Sequence, residues 1–203
     1  MPVQQPKRPG SSGRTFPVSA QKPQGRPVRL ETETRILRSL RSSDVGRTMA
    51  SWFEDPVVLA GLNLPAGGIT QQSLRGYVEE FDNRRKYIIG LFTKPDERHI
   101  GFFQVHVNLS HRVAQLSVAI GDKQFRGQPP SNELSDLVVK EFFEKRGVEK
   151  FVARVLASNY KALWSMKNSN FEFEAVLRED NLMPNGERMD IAQFRQLKSK
   201  WTG

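Results

Sequence analysis

The chain of 203 residues contains no cysteine. This absence excludes disulfide bonds, thiolate metal ligands and a cysteine nucleophile, so covalent catalysis would need another side chain. Long apolar runs are also missing: the stretch 87–92 is far too short to span a bilayer, and the first thirty residues lack the apolar core of a secretory signal. We therefore expect a soluble, cytoplasmic protein with no membrane partner.

Acidic residues are absent from the first 30 positions, which hold six basic residues and six of the twelve prolines. The other positions hold 25 basic and 22 acidic residues, so most of the net charge of +9 belongs to the N-terminal segment. Such a composition buries too little apolar surface to fold. We predict a disordered basic tail over residues 1–30, acting as a solubilising or tethering extension with at most a weak attraction for nucleic acid, and one folded domain over 31–203.

From residue 34 onward, the hydrophobic periodicity predicts an α/β (α+β) domain that contains an antiparallel meander over residues 86–120. Asp44 and Thr70 are predicted to cap helices, Asp55-Pro56 to end one, and residues 61–68 to form a loop. The predicted strands are residues 35–40, 86–93, 99–108, 112–120, 150–156, 171–179 and 188–197, and the predicted helices are 45–53, 70–82, 131–145 and 159–168.

A turn rich in glycine and proline, Arg126-Gly127-Gln128-Pro129-Pro130-Ser131, leads directly into the predicted helix 131–145. Unpaired backbone N–H groups and the positive end of the helix dipole favour an anion such as phosphate at this position. The two prolines have no N–H to donate, which removes part of the donor set. Capping is the default role of Ser131, and phosphate contact is the alternative.

Three histidines, His99, His106 and His111, lie on or near adjacent predicted strands. No cysteine or paired carboxylate completes a zinc set, so no metal site is expected. Gly-x-Ser-x-Gly, Walker-type and dinucleotide fingerprints are absent as well.

Four segments in the same order resemble a known family. They are Ile120-Gly121-Asp122-Lys123-Gln124-Phe125-Arg126-Gly127, then 154–162 (Arg-Val-Leu-Ala-Ser-Asn-Tyr-Lys-Ala), then 171–179 (Phe-Glu-Phe-Glu-Ala-Val-Leu-Arg-Glu) and 185–190 (Asn-Gly-Glu-Arg-Met-Asp). Over residues 35–197 the chain resembles the GNAT superfamily of acetyl-coenzyme A dependent N-acetyltransferases, in its ribosomal-protein-alanine acetyltransferase branch. The resemblance implies the GNAT fold, with a single mixed, mostly antiparallel central sheet flanked by helices, and acetyl-CoA as cosubstrate.

The resemblance also implies the coenzyme contacts. The family's pyrophosphate turn corresponds to residues 126–131, with Pro129 in place of its first motif glycine, Pro130 at the free position after it and Ser131 in place of its final small residue. These exchanges predict that coenzyme binding is weakened or rearranged. The implied cofactor-binding residues are Ser117, Val118 and Ile120 beside the pantetheine arm, Arg126, Gly127, Gln128 and Ser131 in the turn, and Asn159, which otherwise simply caps its helix.

Three positions that the family uses for chemistry are changed here. Its thiolate-protonating tyrosine corresponds to Met166, a serine used by some members to Ala162, and a glutamate on the strand before the turn to Gln115. The substitute catalytic candidates are Tyr160 and Ser165 as proton donors and His106 as base, because its ordinary pKa lies near neutrality. Water relays are the alternative to each of them.

Two functional hypotheses follow. The chain is an N-acetyltransferase that transfers acetyl from acetyl-CoA directly to a primary amine, either a peptide N-terminus or a small amine such as an amino sugar. Alternatively, it is a catalytically degenerate GNAT-fold binding or assembly protein. The acceptor is expected to be selected by loops 61–68 and 182–185, with Glu54 or Glu80 attracting the amine, and both monomer and homodimer stay open.

Overall fold

Eight strands and five α-helices form the regular structure of the described residues. The computed structural model describes residues 24–126 and 131–201. Its strands are β1 (Arg29–Glu31), β2 (Arg35–Ser39), β3 (Lys86–Thr93), β4 (His99–Asn108), β5 (Val113–Ile120), β6 (Lys150–Leu156), β7 (Glu172–Leu182) and β8 (Arg188–Leu197).

Five α-helices are found in the described ranges, and none of them combines the length and apolar character needed to cross a membrane. Thr70 caps its helix as predicted, because its hydroxyl accepts from the Ser73 N–H while the Ser73 hydroxyl accepts from the Thr70 N–H. Gly147, at φ +69°, follows the longest helix in the left-handed conformation that favours glycine. The helices are α1 (Arg47–Trp52), α2 (Pro56–Leu62), α3 (Gln71–Glu79), α4 (Ser131–Lys145) and α5 (Tyr160–Lys167).

Within residues 24–126 and 131–201, the eight strands form one sheet in the order β1-β2-β3-β4-β5-β6-β8-β7. Every neighbouring pair in that part of the chain is antiparallel except β5 and β6, which the crossover through α4 makes parallel. The predicted mixed, mostly antiparallel sheet flanked by helices is therefore confirmed.

Each face of the sheet has its own core. On one face, α4 packs Leu134, Val138 and Phe142 against strand residues such as Phe103 and Phe151. On the other face, α1, α2 and α3 pack against residues that include Ile88 and Phe102. We call these the α4 face and the α1–α3 face.

Four predicted features are wrong in detail. Asp44 does not cap a helix: its carboxylate pairs with Arg38, at 2.7 and 2.8 Å, and Gly46 caps α1 instead. Asp55 begins a helix because its carboxylate accepts from the Val57 N–H of α2, which also takes the first two residues of the predicted loop 61–68.

The domain also begins earlier than residue 31. Val28 is buried, its N–H donates to the Ser39 hydroxyl, and Arg29 starts β1, so the last residues of the predicted tail belong to the sheet. The first 23 residues of that tail lie outside the described part.

His99 is a core residue at the start of β4. Its ring stacks on Phe92, with centroids 4.6 Å apart, and meets the edge of Trp52 at 4.8 Å. Its Nε2 donates to the Gly101 carbonyl oxygen at 3.0 Å. Burial disfavours the charged ring and lowers the pKa of His99 from 6.5 to about 4.

This pKa predicts acid sensitivity of the fold. Below pH 6.5 the unfolded chain binds a proton that the folded chain takes up only near pH 4, so stability falls as the pH falls through this window. We expect His99 to cost about 3 kcal/mol of unfolding free energy between these limits. Urea unfolding at a series of pH values measures it.

The matched variants are His99→Gln and His111→Gln, the second at an exposed turn position. His99→Gln should flatten the slope of unfolding free energy between pH 6.5 and 4.5, whereas His111→Gln should keep it. An equal slope in wild type and His99→Gln would contradict the assignment.

Candidate functional site

The parallel strands β5 and β6 part before either of them ends. Their ladder runs from Val113 opposite Lys150 to Leu116 opposite Ala153, and both strands continue beyond it, to Ile120 and Leu156. In this described segment, residues 117–120 and 154–156 face each other without ladder pairing. We call this opening the β5–β6 gap, and its edges offer backbone groups to a ligand.

The side chains of β5 alternate between the two faces at the gap. Ala119 packs with the α1–α3 core and Ile120 with the α4 core. Ser117, opposite Gln104, therefore faces the α1–α3 side, and Val118 faces the α4 side with 47% of its surface exposed. The gap thus connects the two faces of the sheet.

Arg126 lies a few residues after β5, and its guanidinium donates hydrogen bonds to other groups of the same chain. Nε donates to the Ile120 carbonyl at 3.0 Å, Nη2 to the Gly121 carbonyl at 2.7 Å, and Nη1 to the Asp55 carboxylate at 2.9 Å. The Val57 N–H and Arg126 both lower the pKa of Asp55. Arg126 therefore fixes the end of β5 to the start of α2.

A mostly apolar pocket of about 690 Å³ lies between α2 with its following loop and the hairpin that joins β7 to β8. One wall is attached to β5, because Phe53 stacks on Phe102 of β4, which pairs with Ala119. The other wall is attached to β6, since the Ala157 N–H donates to the Asp190 carbonyl. The pocket therefore lies on the α1–α3 side, between elements that are attached to the two strands of the β5–β6 gap.

The structure does not bring the three catalytic candidates together. His106 faces α3, with its ring 6.0 Å from that of Phe81, and partial desolvation together with the Lys86 ammonium lowers its pKa. Tyr160 and Ser165 lie on α5, which packs Leu163 and Met166 against the α4 core. His106 is thus separated from the other two by the sheet.

The two α5 candidates differ in exposure and in direction. The Tyr160 side chain is 78% exposed, and that of Ser165 is half-buried. Five residues apart, they project about 140° from each other around the helix axis. At most one of them is directed toward the β5–β6 gap.

The cofactor candidates are distributed around the gap. Ser117, Val118 and Ile120 are on β5, and the Asn159 side chain accepts from the Ala162 N–H at 3.1 Å, which caps α5. Gly127, Gln128, Pro129 and Pro130 lie outside the described residues, and Ser131 is described only as the first residue of α4.

Several residues around the pocket were not predicted. The Asn63 amide Nδ2 donates to the Leu182 carbonyl at 3.0 Å, which joins the two loops expected to select the acceptor. Glu54, one of the two candidates for attracting the amine, lines the pocket together with the unpredicted Glu187, whereas the other candidate, Glu80, pairs with Lys86 elsewhere. The dipeptide Asp55-Pro56 was the available sequence signal for α2 in the wall of the pocket, because Asp followed by Pro is also typical of a helix start.

Solved structures with the same fold are numerous. A ribosomal-protein-S5-alanine acetyltransferase from Vibrio fischeri aligns at a TM-score of 0.72 and 14% identity over 87% of this chain and all of its own. A spermidine N-acetyltransferase from Vibrio cholerae, in complex with CoA and spermine, aligns at 0.73 and 18% identity over 83% of this chain and 98% of its own. A ribosomal L7/L12 alpha-N-protein acetyltransferase aligns at 0.73 and 14% identity, covering 84% of this chain and 94% of its own.

No curated protein matches the sequence. A family model does: the acetyltransferase (GNAT) domain matches residues 35–172, which is more than half of the chain. The match spans the sheet from β2 to the start of β7 and includes the β5–β6 gap and α4. Together with the fold, this match shows that the chain belongs to the GNAT acetyltransferase family.

Proposed function

We propose that this protein is an acetyl-CoA dependent N-acetyltransferase that transfers the acetyl group directly to a primary amine. One observation carries the proposal: the β5–β6 gap lies between the face of the sheet that holds an acceptor-sized pocket and the face on which α4 and α5 pack. Two reactants that enter from opposite faces meet in such a gap, and positioning them is the largest contribution the protein needs to make.

Acetyl-CoA would lie on the α4 side. The start of α4, a helix of 15 residues, supplies N–H groups and dipole for the pyrophosphate. The pantetheine arm would follow β5 past Ser117, Val118 and Ile120, where the strand has no ladder partner on β6. A spermidine acetyltransferase of the same fold was solved with CoA, which supports this cosubstrate.

The acceptor amine would enter through the pocket on the α1–α3 side. Its neutral nitrogen attacks the thioester carbonyl, a C–N bond forms, the C–S bond breaks, and the nitrogen loses one proton while the thiolate gains one. His106 lies on the face where the proton leaves. Tyr160 or Ser165 lies on the side where the thiolate forms.

His106 would act through water. It pairs with Gln115, two residues before Ser117, so strand geometry puts its Cα about 8 Å from the start of the gap. That distance is too long for direct proton transfer and suits a relay of one or two waters. Its lowered pKa keeps the ring neutral, and able to accept a proton, below the usual histidine range.

Acetyl-CoA binding is the first prediction. Calorimetric titration should detect binding at or below millimolar ligand, and addition of an amine should then release free CoA. No detectable heat at millimolar acetyl-CoA would contradict the enzyme function and favour a binding or assembly role for the fold.

Arg126 is predicted to support coenzyme binding by positioning. Arg126→Gln should weaken acetyl-CoA binding roughly tenfold or more, because the turn before α4 loses three hydrogen bonds. The same variant should unfold several degrees lower. Calorimetry and thermal melts measure the two effects.

Lys123→Gln is the matched control. Lys123 also faces Asp55, at 3.4 Å, but its side chain is 80% exposed, so the pair contributes little. Equal losses in the two variants, or native coenzyme affinity in Arg126→Gln, would remove Arg126 from the coenzyme site.

His106 should determine the acidic limb of the pH profile. A base cannot accept a proton once it is protonated, and the pKa of His106 lies below the ordinary histidine value of 6.5. Wild-type kcat should therefore hold to about pH 6.5 and decline below it. His106→Gln should lower kcat roughly a hundredfold with little change in KM and remove this limb. His111→Gln is the control, and an unchanged profile in His106→Gln would assign the base elsewhere.

A further inference from the structure

We infer that the acceptor is a primary amine with a single cationic nitrogen and a bulky apolar substituent. This inference rests on the proposed function and specifies its substrate class. It depends on two properties of the pocket on the α1–α3 side: an apolar interior and two carboxylates without an ion-pair partner among the described residues.

The walls of the pocket are mostly hydrocarbon. Residues 53–69, which include α2 and the loop after it, provide one side, and the β7–β8 hairpin provides the other. An apolar group that enters this space gains free energy in proportion to the surface area that it removes from water. The principal apolar residues are Phe53, Leu59, Leu64, Ile69, Met183 and Met189.

The charge of the pocket has one sign. Of the described residues that line it, Glu54 and Glu187 are the only charged ones, and neither has an ion-pair partner within the described ranges. The chain as a whole has 31 basic and 22 acidic residues. Two carboxylates without an ion-pair partner, in a chain with more basic than acidic residues, favour a cationic ligand. An amine is such a ligand, because it arrives as the ammonium ion.

Asn63 holds the two walls of the pocket together. This residue ends α2 in the left-handed conformation, at φ +53°, and its Nδ2 donates to the Leu182 carbonyl. Its Oδ1 is buried inside the protein, so Asn63 contributes to the wall and offers no accessible acceptor to the amine.

These properties disfavour the other amines considered for the fold. A polyamine would place its further cationic nitrogens against hydrocarbon, and an amino sugar would bury several hydroxyls where Asn63 and Asn185 are the only neutral polar side chains among the described lining residues. An amine with one charge and an apolar body avoids both of these desolvation costs. The pocket therefore selects against polar acceptors as well as for apolar ones.

The experiment compares four amines at saturating acetyl-CoA with the full chain, measuring CoA release. 2-Phenylethylamine represents a free apolar amine and leucine amide a peptide N-terminus with an apolar first residue; spermidine and glucosamine represent the polar classes. We expect kcat/KM for at least one apolar amine to exceed both polar ones at least tenfold. The ratio between the two apolar amines distinguishes the free amine from the peptide source.

The two levels of failure are distinguishable. Turnover that is fastest with spermidine or glucosamine would overturn the inference and leave the acetyltransferase function in place. No CoA release with any of the four amines would overturn both.

Variants test the pocket itself. Glu54→Gln and Glu187→Gln should each raise KM for the preferred amine several-fold with a smaller change in kcat, whereas Glu144→Gln, on an exposed position of α4, should leave both unchanged. Leu64→Gln should lower kcat/KM for the apolar amine roughly tenfold and reduce its advantage over spermidine.

Leu109→Gln is the matched control for Leu64→Gln, because Leu109 is a partly exposed leucine in the β4–β5 turn, away from the pocket. Thermal melts establish that each variant is folded. An unchanged ratio of apolar to polar amine in folded Leu64→Gln would overturn the assignment of this wall.

Discussion

The incomplete pairing of β5 with β6 is the constraint on which the site depends. Each strand stays extended past the last shared pair because its outer neighbour continues to hold it: β4 pairs with β5 to Ile120, and β8 pairs with β6 to Leu156. The gap therefore stays open without any group inside it, and the backbone groups along it remain available to an extended ligand. A sheet of ordinary length thus provides an opening between its two faces without breaking its core.

One contact links the two sides of this opening. Arg126 belongs to the turn that leads to α4, and its partner Asp55 caps α2, which forms a wall of the pocket. Close packing strengthens the connection, because a Cβ added at Gly121 would lie 1.9 Å from the ring of Trp52. A shift of the turn on coenzyme binding would therefore be transmitted to α2 through groups already in contact, which couples the coenzyme and acceptor sides.

Much of the fold was predictable, because alternation and turn chemistry are local. β3, β4, β6, β8 and α4 have the predicted bounds, each delimited by turn residues such as Gly147. α2 was missed because Asp55-Pro56 indicates a helix end as readily as a cap with proline at the first position. β1 was missed because three residues at a sheet edge carry almost no periodic signal. The two loops of the pocket were expected to select the acceptor, but their contact was not predictable: Asn63 and Leu182 are 119 residues apart, and no spacing in the chain reports their hydrogen bond.

The separation of the candidates by the sheet has a mechanistic consequence. In acetyl transfer the nitrogen loses its proton and the sulfur gains one, and the shortest solution for an enzyme is one group that carries the same proton between them. Here His106 faces α3, and α5 packs on the α4 side, so no single side chain among them reaches both atoms. Met166 cannot compensate, since it packs into the α4 core and has no proton to give. In the proposed mechanism, proton removal and proton delivery therefore belong to separate solvent paths, one on each face of the gap, and each can be lost without the other.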